Sequence, residues 1–203
     1  MKKIIVLIMM GLITYGCKMP RSNAEIEADS SKIRINSKEV IKVDYEKLKK
    51  LKLNFRTKKD EFSTDNVVFY YPKSAPIYIN TNALYVYFNT TNDKANPLRF
   101  RFQYHADDWL FIKIVEFSID GILYMYVPRE VQRDNDGGGT WEWFDDSIKI
   151  NAYDMDLLIA LSKAKNAKMK IVGKYADVKT ITSSQIKAIK ETIELHEMLG
   201  GSL

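Results

Sequence analysis

The chain has 203 residues, of which 46% are hydrophobic and 12% aromatic, a composition that can bury one good core. Its 31 basic and 26 acidic residues leave a net charge of +5, which is too weak and too dispersed to indicate nucleic-acid binding. The single cysteine excludes an internal disulfide. A zinc site is not expected either, because the chain has only two histidines, which are far apart in the sequence. Neither a metal nor any other cofactor is therefore predicted.

The N-terminus has the three-part pattern of a secretory signal peptide. Lys2 and Lys3 precede the uncharged apolar run Ile4–Ile13, and three further residues lead to Cys17. An apolar run of about ten residues is too short to cross a bilayer, which requires roughly 20. We therefore predict that residues 1–16 are a signal peptide that is removed.

The sequence Thr14-Tyr15-Gly16-Cys17 resembles the lipobox of bacterial lipoproteins. The resemblance covers only the first 17 residues, and it departs from the usual pattern at Thr14, where leucine is expected, and at Tyr15, where a small residue is expected. It implies cleavage before Cys17, a diacylglycerol thioether on its sulfur and an acyl chain such as palmitate on its nitrogen. Simple secretion after ordinary cleavage is one alternative, and a buried strand of a cytosolic protein is another.

Acylation of Cys17 would also use up the one thiol in the chain, and two acyl chains already anchor a protein stably to a membrane. Lys18 stands where an aspartate signals inner-membrane retention in enterobacterial lipoproteins. The resemblance thus implies an exported, membrane-anchored protein. Its location would be the outer membrane or periplasmic face in a Gram-negative cell and the cell surface otherwise.

Residues 17–38 are polar and mixed in charge, a composition typical of a flexible tether. About 20 such residues span roughly 25 Å as a random coil. We predict one folded domain over residues 39–203, with two small domains as the alternative. Within Glu39–Leu53 the apolar spacing fits a helix or a strand, and we favour a short helix near Tyr45–Leu51.

The middle of the chain has the composition of β-strands. Asn66–Pro72 and Ala83–Phe88 are rich in aromatic and β-branched residues, and Trp109–Ile119 is apolar on both faces, as in a central strand. Asp120-Gly121 separates that segment from Ile122–Val127 and predicts a tight hairpin, because a type I′ turn needs positive φ at both central residues.

The clearest strand covers Leu98–His105, where apolar and polar residues alternate. This alternation predicts an antiparallel sheet with one face on the core and the other on solvent. The predicted inward residues are Leu98, Phe100, Phe102 and Tyr104, and the predicted outward residues are Arg99, Arg101, Gln103 and His105.

The C-terminal part changes to helical periodicity. Asp154 is positioned to cap a helix that runs to about Lys165, Lys168–Tyr175 is a predicted strand, and Thr182 to Gln185 form a capping box for a last helix. His196 extends the apolar stripe of that helix and is expected at the core edge. The order predicts an α+β fold with a largely antiparallel β-sheet or sandwich and a C-terminal helix-strand-helix packed on it.

One acid/base pair and one cation loop are the candidate chemical sites. His105 lies beside Asp107 and Asp108, which would suit acid/base catalysis, although a solvated strand end explains the same residues. The segment Asp134–Gly139, DNDGGG, has oxygen ligands but not the spacing of a calcium loop, so a flexible hairpin loop is the better interpretation.

Trp141 and Trp143 fall on one face of a predicted strand. Buried core is the usual place for tryptophans at this spacing. If that face is wet, they are candidate partner-binding residues together with Arg99 and Arg101.

These observations favour a cell-envelope lipoprotein that serves as a binding or interaction module for a protein or glycan. The alternatives are an envelope hydrolase that uses His105 with Asp107 or Asp108, and an immunity or inhibitor lipoprotein. Enzymatic activity remains open, with a non-enzymatic role favoured, because no motif pairs a nucleophile with a base.

Overall fold

The computed structural model describes residues 45–148 and 153–203. The predicted signal peptide, Cys17 and the predicted tether over residues 17–38 lie outside the described residues.

The described residues form three helices and eleven strands. The helices are α1 (residues 45–52), α2 (Tyr153–Lys163) and α3 (Ser183–Met198). The strands are β1 (Phe55–Lys59), β2 (Val67–Pro72), β3 (Ala83–Thr91), β4 (Lys94–Ala95), β5 (Arg99–Ala106), β6 (Ile114–Ile119), β7 (Ile122–Tyr126), β8 (Gln132–Asn135), β9 (Thr140–Ser147), β10 (Ala167–Val172) and β11 (Ala176–Ile181).

The strands form two open sheets in which every pair is antiparallel. The seven-stranded sheet has the order β1-β2-β3-β5-β9-β8, with β4 paired to β3, and the four-stranded sheet has the order β11-β10-β6-β7. The predicted α+β class and the predicted antiparallel pairing are confirmed. The predicted C-terminal helix-strand-helix contains a hairpin of β10 and β11 instead of one strand. The strand β11 was missed because only its last residue, Ile181, is buried, so its sequence carries little core signal.

One hydrophobic core joins the two sheets and the helices. Phe100 of β5 lies 6.2 Å from Phe117 of β6 and 5.7 Å from Phe144 of β9, measured between ring centroids. Helix α3 covers β3, and the Thr192 hydroxyl lies within hydrogen-bond distance of the carbonyl oxygens of Val86 and Ala188. The inner face of the larger sheet is therefore covered by α3 at β3 and by the smaller sheet at β5.

Several turns and caps form as their local sequence predicts. Asp120 and Gly121 both have positive φ, 49° and 89°, in the β6–β7 hairpin. Thr182 accepts a hydrogen bond from the Gln185 amide and completes a capping box at the start of α3. The glycine-rich segment connects β8 and β9 as a hairpin loop. His196 lies inside the core rather than at its edge, 1% exposed and edge-on to Phe88.

The predicted strand over Trp109–Ile119 is wrong in its first half. Glu142, which is fully buried, accepts hydrogen bonds from three consecutive amides at 2.7–2.9 Å, those of Leu110, Phe111 and Ile112. These bonds draw the backbone around the carboxylate, and Phe111 adopts a left-handed φ of 55° that a strand does not allow. The strand therefore begins only at Ile114.

Candidate functional site

The alternation predicted for β5 is present, but its polar face is not open to water along its whole length. Gln103 is 1% exposed, and its side-chain amide donates hydrogen bonds to the carbonyl oxygens of Tyr78 and Thr81 at 2.9 and 3.4 Å. The connection between β2 and β3 therefore covers part of the surface that we predicted to be wet. We call this side of the seven-stranded sheet, opposite the core, the outer face.

Two arginines share one carboxylate in the middle of the outer face. Arg99 Nε lies 2.7 Å from Asp145 Oδ1, and Arg101 Nη1 lies 2.8 Å from Asp145 Oδ2. The Tyr87 hydroxyl donates to Asp145 at 2.7 Å and accepts from Arg99 at 2.9 Å. This arginine cluster presents guanidinium donors with an excess of positive charge.

Burial keeps the tyrosines around this cluster protonated. Desolvation is the main cause that raises the pKa of Tyr87, and the neighbouring Asp145 carboxylate adds to it. Desolvation also raises the pKa of Tyr85 to about 12, with Arg101 acting in the opposite direction. Both hydroxyls are therefore neutral hydrogen-bonding groups at physiological pH.

A row of aromatic rings crosses β2 and β3 beside the arginine cluster. The ring centroids of Phe69 and Tyr71 are 6.0 Å apart, and those of Tyr71 and Tyr87 are 4.7 Å apart, both pairs stacked. Tyr85 continues the row at 6.1 Å from Tyr87. Phe69 and Tyr71 are partly exposed, whereas Tyr85 and Tyr87 are buried, so the row is open at its β2 end.

An aromatic cleft of about 520 Å³ lies at this open end. Phe62, which is 98% exposed, lines the cleft together with Phe69 and Tyr71. The remaining lining residues are two basic and two acidic ones: Lys58, Lys59, Asp60 and Glu61. Aromatic rings that meet polar groups in a concave surface are a feature of small-ligand sites, and here the charged residues outnumber the aromatic ones.

The four residues predicted for partner binding lie on the same face. Cross-strand register places Arg101 opposite Asp145, Gln103 opposite Trp143, and His105 opposite Trp141. Trp143 is partly exposed and Trp141 is 8% exposed. Arg99 and Trp143 are therefore accessible members of the predicted set. Trp141 lies on the same face but is buried by its neighbours.

The residues predicted for acid/base chemistry do not form a bonded pair. His105 extends toward Trp141, with ring centroids 6.4 Å apart. Asp108 bonds the Lys174 ammonium at 3.2 Å and the Trp109 amide at 2.8 Å, and these two bonds lower its pKa. Among the described residues, no hydrogen bond joins the His105 ring to Asp107 or Asp108. The described residues also contain no cluster of three or more His, Cys, Asp or Glu side chains suited to a metal ion.

Sequence reasoning missed the aromatic cleft. It predicted the β2 strand but not its outward residues, because Val67, Val68, Phe69, Tyr70 and Tyr71 are all apolar or aromatic and show no alternation. Asp145 was not singled out either, since it is 44 residues from Arg101 in the chain and becomes its neighbour only through the β5–β9 register.

Comparisons of the chain with protein-family models, with curated proteins and with solved structures find no match. None of the helices in the described residues has the length and hydropathy that a membrane crossing requires.

Proposed function

We propose that this protein is an exported lipoprotein, anchored through Cys17, whose folded part is a non-enzymatic module that binds a glycan at the aromatic cleft. The lipobox-like residues 14–17 support the anchor. The observation that carries the ligand class is the cleft lined by Phe62, Phe69 and Tyr71. Tyr71 stacks on Tyr87, whose hydroxyl accepts a hydrogen bond from Arg99 of the arginine cluster.

The aromatic part of the cleft suits the faces of sugar rings. One face of a pyranose carries mainly C–H groups, and stacking it on a partly exposed phenyl or phenol ring removes apolar surface from water on both sides. Phe69 and Tyr71 offer two nearly parallel rings, 11° apart in plane. Two such rings in sequence fit an extended chain of sugars better than a single sugar.

The polar part of the cleft suits sugar hydroxyls and acidic substituents. Lys58 and Lys59 donate hydrogen bonds and Asp60 and Glu61 accept them, so the lining can satisfy hydroxyl groups in either role. Arg99, 35% exposed at its side chain, adds a charged donor farther along the face. Hydrogen bonds to charged groups are the stronger ones and give a polar ligand its orientation.

A binding assay on the full chain tests this proposal. We expect the protein to sediment with insoluble cell-wall glycan, and Tyr71→Ala to raise the Kd about tenfold, the change that ~1.4 kcal/mol of lost stacking produces. Tyr175→Ala is the matched control, because Tyr175 is 42% exposed in the turn between β10 and β11 of the other sheet, and this variant should bind as the parent does.

Two outcomes would contradict the glycan proposal. One is a full chain that does not bind cell-wall glycan or other polysaccharides at all. The other is equal binding by the Tyr71 and Tyr175 variants, which would place any glycan site elsewhere and leave a protein ligand for the outer face.

A further inference from the structure

The strand β7 is an edge strand without a charged residue. The two sheets end in β1, β8, β11 and β7. Charged side chains occur in β1, β8 and β11, as is usual for strands whose backbone edge is open. By contrast, β7 reads Ile-Leu-Tyr-Met-Tyr over Ile122–Tyr126.

Four exposed apolar side chains lie in β7 or directly after it. Ile122 is 60% exposed, Leu123 78%, Met125 54% and Val127 59%. Leu123 and Met125 point away from the core, opposite Ser118 and Glu116 of β6. Side chains alternate along a strand, so Leu123 and Met125 share the outward side and Ile122 lies on the other. Exposed apolar side chains that neighbour one another on a protein surface mark a candidate interaction site.

At the open edge of β7, a side-chain hydroxyl accepts a hydrogen bond that a carbonyl of a neighbouring strand would otherwise accept. The Met125 amide donates to the Tyr153 hydroxyl at 3.0 Å. In an antiparallel ladder the backbone groups of residues two apart point to the same side, so Leu123 and Met125 present theirs to this edge. The edge of β7 can therefore pair with another strand, and the Tyr153 hydroxyl stands where a carbonyl oxygen of that strand would accept from the Met125 amide.

We propose that β7 pairs with β7 of a second copy of this chain, antiparallel and about a twofold axis at Tyr124. In that register Leu123 of each copy lies opposite Met125 of the other, so the exposed apolar side chains cover one another. In the dimer, the Met125 amide donates to a backbone carbonyl of the second copy instead of to the Tyr153 hydroxyl. The two four-stranded sheets become one sheet of eight strands.

Charge is the reason that the occupant is a second copy. Because β7 carries no charge, pairing it with itself creates no like-charge contact, and each copy offers the same apolar surface that it covers. The same operation on β1, with the twofold axis at Thr57, would place Arg56 of each copy opposite Lys58 of the other, and like charges directly opposite each other are unfavourable.

Sedimentation velocity of the full chain in non-ionic detergent, over about 1–100 µM, tests the dimer. We expect a concentration-dependent dimer that Leu123→Lys abolishes. Val178→Lys is the matched control, because Val178 is 61% exposed on β11, the opposite edge strand of the same sheet, and the variant carries the same anchor. Tyr153→Phe should tighten the dimer, by up to about tenfold in Kd, because the Met125 amide then has a partner only in the dimer.

A full chain that stays monomeric throughout this range overturns the proposal, and so does a dimer that persists in Leu123→Lys. Circular dichroism shows whether the lysine variant is folded. If it is not, amide hydrogen exchange on the parent protein decides. Exchange of the Leu123 amide must slow as protein concentration rises, and exchange that is independent of concentration refutes the pairing.

Discussion

At the residue scale, Glu142 holds the segment that precedes β6. Its carboxylate is fully buried, accepts three backbone amides and pairs with Arg133 Nε at 2.9 Å. It thereby holds the segment before β6 in an irregular path, with the Phe111 ring 46% exposed and the Arg133 guanidinium 5.5 Å from its centroid. A single acidic side chain from a distant strand thus determines where β6 begins.

We expect Glu142→Gln to lower the free energy of unfolding by roughly 2–4 kcal/mol, because the amide is neutral and leaves one backbone donor and Arg133 without their acceptor. Glu116→Gln is the control, since Glu116 makes an exposed ion pair with Lys170 and should cost less than about 1 kcal/mol. Urea unfolding of both variants measures the difference. Equal losses would show that Glu142 does not organise the segment.

At the scale of elements, local chemistry explains the β6–β7 turn and the start of α3. In the β6–β7 hairpin, Asp120 occupies a left-handed position, and its carboxylate also accepts from the backbone amides of Lys165 and Asn166 at 2.8–3.2 Å. Asp120 therefore joins the hairpin to the connection between α2 and β10. These hydrogen bonds to the ionised form lower the pKa of Asp120 in the folded chain.

The depressed pKa of Asp120 predicts a pH-dependent contribution to stability. The folded pKa lies below the unfolded value of about 3.9, so the contribution is present above that pH and is lost as pH falls through the folded pKa. Asp120→Asn keeps a residue that tolerates the left-handed turn but removes the charge. We expect its stability deficit in urea unfolding to be larger at neutral pH than at acidic pH.

Asp107→Asn provides the control for this measurement, because Asp107 is exposed and no hydrogen bond of its carboxylate is seen in the described structure. Its deficit should be small and should change little with pH. A deficit of Asp120→Asn that is the same at both pH values would mean that the two amide bonds do not favour the ionised carboxylate.

At the scale of the whole molecule, the two sheets and the helices share one core, so one side of the larger sheet is buried and the other remains for a ligand. Our proposals assign the outer face to a glycan and β7 to a second copy. These two surfaces belong to different sheets, so their tests are independent of each other.

The proposed anchor is also a property of the whole chain. We expect membrane fractionation and intact mass measurement to find the parent protein in the membrane fraction, cleaved before Cys17 and heavier by its acyl chains. Cys17→Ser should be released or remain unprocessed. An unmodified mature chain in the soluble fraction would indicate simple export, and a retained Met1–Gly16 would contradict the signal-peptide prediction.

Features that depend on neighbouring residues could be read from the sequence. The alternation in β5, the hairpin at Asp120-Gly121 and the capping box at Thr182 were all predicted, because backbone preferences and side-chain-to-backbone bonds act over two to four residues. The α+β class followed from the order of these elements. The pattern of residues 1–17 likewise carries the anchor prediction without any structure.

The tertiary structure was needed wherever the deciding partner is far along the chain. Glu142 interrupts a predicted strand 30 residues away, Asp145 gathers two arginines from β5, and the β2–β3 connection covers Gln103. The aromatic cleft likewise depends on which side of β2 faces outward. Strand register and loop packing decide these contacts, and they arise from burial over the whole core rather than from local preference.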